Sequence, residues 1–449
     1  MTTFRKTQES NYIETRKILE KNEYSKDPGW VRTLRDDATD KFSKLGFPIE
    51  RRGNEAWKYT NVSRISKVPF RPSSTPLLTE GVNLDYLGAD ENAKHKLVFI
   101  DGRYMEHLSS VKNLPENIQV TNLGNAMESS STLLKQHLAK YAQDENDFFT
   151  ALNTAFIHDG CFVHIPDHTY LEDPIFLLFL NTGHDSDTAS HPRILVTTGI
   201  GSEATIIESS GSDSNARYFV NSVSEIILSE NSTLKHYRVQ QHSEEAYEIT
   251  STNVVLDKNA SFSSVNVDLG GGLVRHNLNV LMKSEGASCT LNGLYMTTRS
   301  QHVDNQVIID HAKGYTTANE LYKGVLDGKS RTVFHGSIIV REGARKVDSN
   351  QSDKNLLLSN DAEADTKPAF WIYCDDVKCA HGASCGQIDE DALFYMRSRG
   401  IGEHEARSFL IRGFVSEIID GIEHKPYWNF VNHLVEKTLD EWLENRSFG

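Results

Sequence analysis

No run of apolar residues in the chain approaches the ~18 needed to span a bilayer. Its first residues, MTTFRKTQESNYIETRK, lack the apolar centre of a secretory leader. Positive charge is also in deficit: 47 Lys and Arg stand against 62 Asp and Glu, a net charge of −15. That balance argues against general binding to nucleic acid or to an anionic membrane surface. Cysteine is scarce, and an odd count of five suits a reducing compartment better than a disulfide framework, so a cytoplasmic location is expected. The paired C-x2-C units of zinc fingers are missing, and no serine stands in a G-x-S-x-G setting. Two glycine-rich stretches fail as phosphate sites. Residues 324–330 have three residues between the glycines where a P-loop has four, and β-type sequence follows. Gly270, Gly271 and Gly272 precede an alternating run, not a helix. His302, His311 and His335 are scattered among strands and receive no role.

What is present divides into three regions. At 449 residues the chain exceeds one ordinary compact core. Residues 1–95 read as a helical, charged domain: Asp27 and Pro28 resemble an N-cap and first-turn proline, and Trp30, Leu34, Ala38, Phe42 and Leu45 follow at helical spacing. Residues 54–61, NEAWKYTN, read as a loop pinned by buried aromatics, and residues 69–76 as a linker. Residues 129–156 read as helical. Residues 96–388 are otherwise dominated by short β-runs, with turns centred on Ala204, Ser232, Ala260, Ala287, Tyr315 and Ala344 at intervals of 27 to 29 residues. A near-constant period of that size is the signature of a β-solenoid, whose coils stack ~4.8 Å apart because none can bury its own apolar face. The next small-residue stretch, around Ala383, lies 39 residues beyond Ala344, which implies an insertion within residues 353–367. Residues 389–449 read as a helical domain. Its apolar stripes, including Phe409, Leu410, Leu434 and Trp442, exceed what so small a core needs and suggest a partner surface.

The chemistry concentrates in residues 374–385, where Cys374, Cys379 and Cys385 surround His381. If this stretch is extended, Cys379 and His381 project from one face, and a thiolate beside an imidazole suits iron or zinc. Cys374 would then face the other way, and Cys385 would rejoin the pair only if Gly382 does not bend the chain. Two good ligands result, not four. The plain alternative makes Cys374 and Cys385 small fillers and His381 a surface residue. These residues fall on the last coil, and a solenoid end with unpaired strand edges near residues 372–377 calls for a cap or a partner, including a second copy of the chain.

The run DDVKCAHGA at 375–383, with SDKNLLLS at 352–359, TKP at 366–368, FYMRSRGI at 394–401 and NEAWKYTN at 54–61, resembles the SufB/SufD family of iron–sulfur cluster assembly proteins. The likeness is to its SufD branch, since SufB-type sequences lack this run and carry a cysteine in the preceding strand region. The resemblance implies a right-handed parallel β-helix flanked by N- and C-terminal α-helical domains. It implies a non-catalytic scaffold subunit that works with SufB and the ATPase SufC. By the same resemblance the C-terminal helices dock SufC and the β-helix end pairs with SufB. The metal-site histidine maps onto His381 with Cys379 beside it, holding iron or a nascent cluster shared with SufB. Cys374 and Cys385 depart from the family pattern, as auxiliary ligands or as neutral changes. A reading from another class is a β-helix polysaccharide lyase or hydrolase.

Overall fold

The computed structural model describes residues 2–25, 27–49, 54–73, 84–89, 93–115, 117–129, 131–142, 145–183, 187–212 and 214–444. Two helices open the chain, α1 (Thr2–Lys21) and α2 (Gly29–Leu45). Pro28 stands at the N-cap of α2, not in its first turn, and the Asp27 carboxylate pairs with buried Arg35. The arginine also donates to the Ile157 carbonyl at 2.6 Å, tying the helix to the solenoid body. Gly46 ends α2 with φ 64°, its N–H closing on the Phe42 carbonyl. Phe42 and Phe47 pack on Phe148 of a later helix, α3 (Phe148–Ala155), so the N-terminal helices share a core with later sequence. Of the expected linker, residues 74–76 lie outside the described residues. Phe70 within it is buried against Phe219.

From β1 (His95–Ile100) the chain builds a sheet of eleven strands and a sheet of ten, and from β2 (Arg193–Thr198) and β3 (Glu203–Gly211) onward successive strands alternate between them, giving a mostly β solenoid flanked by helices. The cause lies in the alternation within each strand. Leu234, Phe262, Cys289 and Ala318 stand at equivalent inward positions on successive coils, and Val254, Val280 and Ile309 do so on the other sheet. All seven are buried in one apolar core. Asn231, Asn259, Gly286, Tyr315 and Gly343 mark the corners, with φ between 54 and 77°. Asn and Gly tolerate that conformation at least cost.

The expected insertion is absent. The final strands are β4 (Arg331–Val340), β5 (Val347–Leu357), β6 (Glu363–Ile372) and β7 (Val377–Gly386). Val347 pairs with Val377, thirty residues on, so the last coil has ordinary length. Residues 358–362 merely join β5 to β6. The stretch 381–384 resembles a turn in composition because a strand at an uncovered end carries small and polar residues; it is the middle of β7.

The two ends of the solenoid differ. At the first, antiparallel strands close the ladders: Arg103–Tyr104 and Ser110–Val111 flank β1, and Gln119–Asn122 pairs antiparallel with Gly160–Ile165. At the other, β6 and β7 are the last strands of their sheets among the described residues. Helices α4 (Glu390–Ser398), α5 (Glu403–Ile419) and α6 (Lys425–Glu444) complete the chain. Asp389 caps α4, accepting from the N–H groups of Asp391 and Ala392. Ile411, Val415, Ile418, Val431, Val435 and Leu439 bury one face of α5 and α6 against Tyr237, Val239, Val265, Val267 and Leu294 on the outside of the larger sheet. Each such side chain stabilises the docking by about 1.5–3 kcal/mol. No helix among the described residues is long and apolar enough to cross a membrane.

Candidate metal and partner site at the open end

In β7, Cys379, His381, Ala383 and Cys385 pair with Ser349, Gln351, Asp353 and Asn355 of β5. Those four β5 residues are buried in the lumen. The β7 residues therefore occupy the inward positions of the last coil, yet they are largely exposed because no further coil among the described residues covers them. Gly382 pairs with Ser352 in unbroken register and does not bend the strand. Cys385 consequently shares the inward side with Cys379 and His381, the placement open to it only with an unbent Gly382.

Cys374 is not on a strand. β6 ends at Ile372, so Cys374 lies in the turn to β7 and packs with Cys379 on Ile338, Val340, Ala344 and Val347. Strand alternation does not govern it, and it lies near the side of Cys379 instead of facing away. The strand edge available to a partner is correspondingly longer than residues 372–377, of which 373–376 form the turn; it comprises β6 and β7 together.

The His381 ring stacks on Phe370 of β6, centroids 3.9 Å apart and planes 21° from parallel. Burial, with a smaller contribution from Asp348, raises the Cys379 thiol above its ordinary range. Burial and then Asp353 do the same for Cys385. A metal at this end must therefore displace protons from its thiol ligands. Two thiols and an imidazole form a donor set suited to iron or zinc. Among the described residues no three His, Cys, Asp or Glu converge to hold an ion.

Beneath this mouth the lumen is polar. Gln351 Nε2 donates to Glu320 Oε2 at 2.9 Å, and Asn355 Nδ2 donates to Asp353 at 2.7 Å. The Tyr295 hydroxyl lies 2.8 Å from Asp353 Oδ1. His311 is 3.2 Å from the Ser349 hydroxyl and 2.7 Å from that of Thr316, a structural placement. His302 likewise meets Thr60, 2.9 Å away, in the pinned loop, whose Trp57 lies buried 3.9 Å from the Arg275 guanidinium.

Of the helical residues expected to face a partner, Phe409 is 49% exposed. Leu410, Leu434 and Trp442 are half-buried against the core that joins helices to solenoid. Several more exposed aromatics near these helices and the open end are ones the helical pattern does not single out: Phe394 and Tyr395 on α4, 73% and 60% exposed, and Trp371 and Tyr373 at the open end. For Trp371 and Tyr373 the signal is available in the sequence, since the run Phe370, Trp371, Ile372 and Tyr373 breaks the apolar–polar alternation of a strand with one wet face.

A stacked parallel solenoid whose open coil carries a thiol and an imidazole accords with the sequence comparisons. Residues 179–414 match the family description "SUF system FeS cluster assembly, SufBD core domain", and residues 6–177 match "SufBD protein N-terminal region". The chain belongs to the SufBD family of iron–sulfur cluster assembly proteins. Within that family it is similar to proteins named SufD. The Escherichia coli SufD is 29% identical over 382 residues, covering 84% of this chain and 86% of the relative. The Bacillus subtilis SufD is 25% identical over 414 residues, covering 89% and 92%. A SufBD family protein of Synechocystis is 33% identical over 403 residues, 86% of each chain.

Proposed function

We propose that the chain is a non-catalytic scaffold subunit in iron–sulfur cluster assembly, working in the cytoplasm with a SufB-type partner and the ATPase SufC. The open end, β6 and β7, pairs with strands of SufB, and in its absence with a second copy of the chain. Cys379 and His381 supply ligands to iron or to a nascent cluster carried as cargo at that junction. Cys385 is an auxiliary donor on the same side, and Cys374 supports the turn. The exposed aromatics of α4 and α5, centred on Phe409, dock SufC, which supplies ATP hydrolysis; Leu410, Leu434 and Trp442 hold that surface in place.

The observation that carries this reading is the uncovered last coil, whose inward positions hold a thiol and an imidazole where earlier coils hold buried side chains. A chain with too few convergent ligands among its described residues, and an unpaired edge beside them, is suited to complete its site from a neighbour. The test is co-expression with SufB and SufC partners, followed by iron and acid-labile sulfide analysis. His381→Ala is expected to leave the complex assembled while lowering both contents several-fold. Normal loading in that variant would overturn the assignment. Cleavage of acidic polysaccharide by the purified chain would favour the alternative class instead.

A further inference from the structure

Leu291, Glu320, Gln351 and His381 form one inward row on four successive coils, each paired with the next. Gln351 donates through Nε2 to Glu320 Oε2. A carboxamide carries its nitrogen and oxygen on opposite arms, so committing the nitrogen to the coil beneath turns the oxygen away from it. That oxygen, Gln351 Oε1, is buried and has no hydrogen-bond partner. A buried acceptor without a donor is costly and calls for an occupant. The amide cannot readily slide elsewhere. It lies over Gly336, where a Cβ would stand 1.6 Å from Nε2, so the absence of a side chain there makes its berth. The next residue of the row is His381. Its face is taken by Phe370, which leaves the ring edge, where both nitrogens lie, available for hydrogen bonding.

We propose that Gln351, backed by Glu320, is a positioning residue for His381: its side-chain oxygen accepts one imidazole N–H and leaves the other ring nitrogen directed to the open mouth. Phe370 sets the plane of the ring, and Gln351 selects the nitrogen. Glu320 suits the rear position because burial pushes its carboxyl up to about 8, so that group stays protonated near neutral pH and places no charge behind Gln351. Ligating histidines generally use such a partner on the second nitrogen, and its loss costs roughly 10–100-fold in metal affinity. The inference rests on His381 acting as a ligand only for its functional value; the hydrogen bond itself can be tested without metal.

The experiment uses the metal-free full-length chain labelled with 15N-histidine, at a pH where the imidazole is neutral, with the His381 signals assigned by their loss in His381→Ala. A single tautomer is expected in the wild type and a mixture in Gln351→Leu. Gln351→Glu, which keeps an acceptor oxygen, should retain the single form and guards against a Leu variant that fails to fold. In the complex with SufB and SufC partners, Gln351→Leu is expected to weaken iron binding about tenfold. An unchanged tautomer in Gln351→Leu, or a mixture already present in the wild type, overturns the proposal. A tautomer that depends on Gln351 together with normal iron loading in His381→Ala upholds the positioning and removes the ligand role.

Discussion

The imidazole of His381 lies flat on the ring of Phe370 across the mouth of the solenoid, 3.9 Å between centroids. The two residues belong to the terminal strands of different sheets, so the stack also ties β6 to β7 where no further coil holds them together. Ring pairs of this kind stabilise by about 0.5–1.5 kcal/mol. Phe370→Ala should therefore lower iron loading of the assembled complex by roughly 2- to 10-fold without dissociating it. Metal titration of the purified complex checks this; unchanged affinity would show that the stack does not hold the ligand.

Cys385 and Cys374 separate by position. Cys385 is inward on β7 and Cys374 is in the turn. Cys385→Ser is expected to reduce sulfide and iron content partially, less than His381→Ala, and Cys374→Ser to leave both near wild type. Acid-labile sulfide on matched complexes is the measurement, and the reverse order would place the chemistry at the turn.

Glu320 imposes a pH dependence on stability. Its folded carboxyl is pushed up to about 8 by burial, whereas the unfolded group ionises near 4.5. Between those values the folded state binds more protons, so its stability falls as pH rises. Glu320→Gln removes that slope. The variant should match the wild type below about pH 4.5 and exceed it by a few kcal/mol at pH 8, as an order of magnitude. Denaturant unfolding across that range decides, and parallel curves for the two proteins would refute the assignment.

Arg238 lies fully buried between Glu248, 2.7 Å away, and Asp268, 3.0 Å away. Arg238→Met would strand two carboxylates in the lumen. The expected loss is about 3–5 kcal/mol, read as a lowered unfolding midpoint. A neutral result would mean that the carboxylates take up protons without penalty.

Phe409→Glu should weaken capture of SufC while leaving the thermal unfolding of the chain unchanged, because the side chain is exposed. Deleting everything after residue 386 is not an equivalent experiment. It would uncover Tyr237, Val239, Val265, Val267 and Leu294 on the sheet, an apolar face that soluble proteins do not leave bare. Undiminished capture by Phe409→Glu would move the docking surface elsewhere.

The solenoid was legible because inward apolar positions recur on each coil, and the corner residues Asn231, Asn259 and Gly286 announce their backbone geometry. The last coil was not. Where nothing packs on top, selection for bulky apolar residues lapses, and β7 reads as a turn although it pairs with β5 along its whole length. Alternation puts Cys379 and His381 on one face, as the strand register does, while the side of Cys385 stays open in the sequence because a glycine in a strand looks the same as a glycine in a bend. Leu434 and Trp442 illustrate a second limit. An apolar stripe on a helix reports that something covers it, not whether the cover is the same chain, and here the solenoid supplies it. The Glu320–Gln351 contact joins residues 31 apart and depends on register, which no local pattern reveals.

Among the described residues antiparallel strands close one end of the solenoid and not the other, which bears on the size of what the proposed pairing can build. A stack open at both ends would add copies indefinitely, as fibrils do. On the proposed pairing, a single open end means that one union consumes the exposed edge of both participants, so growth is expected to stop at a pair.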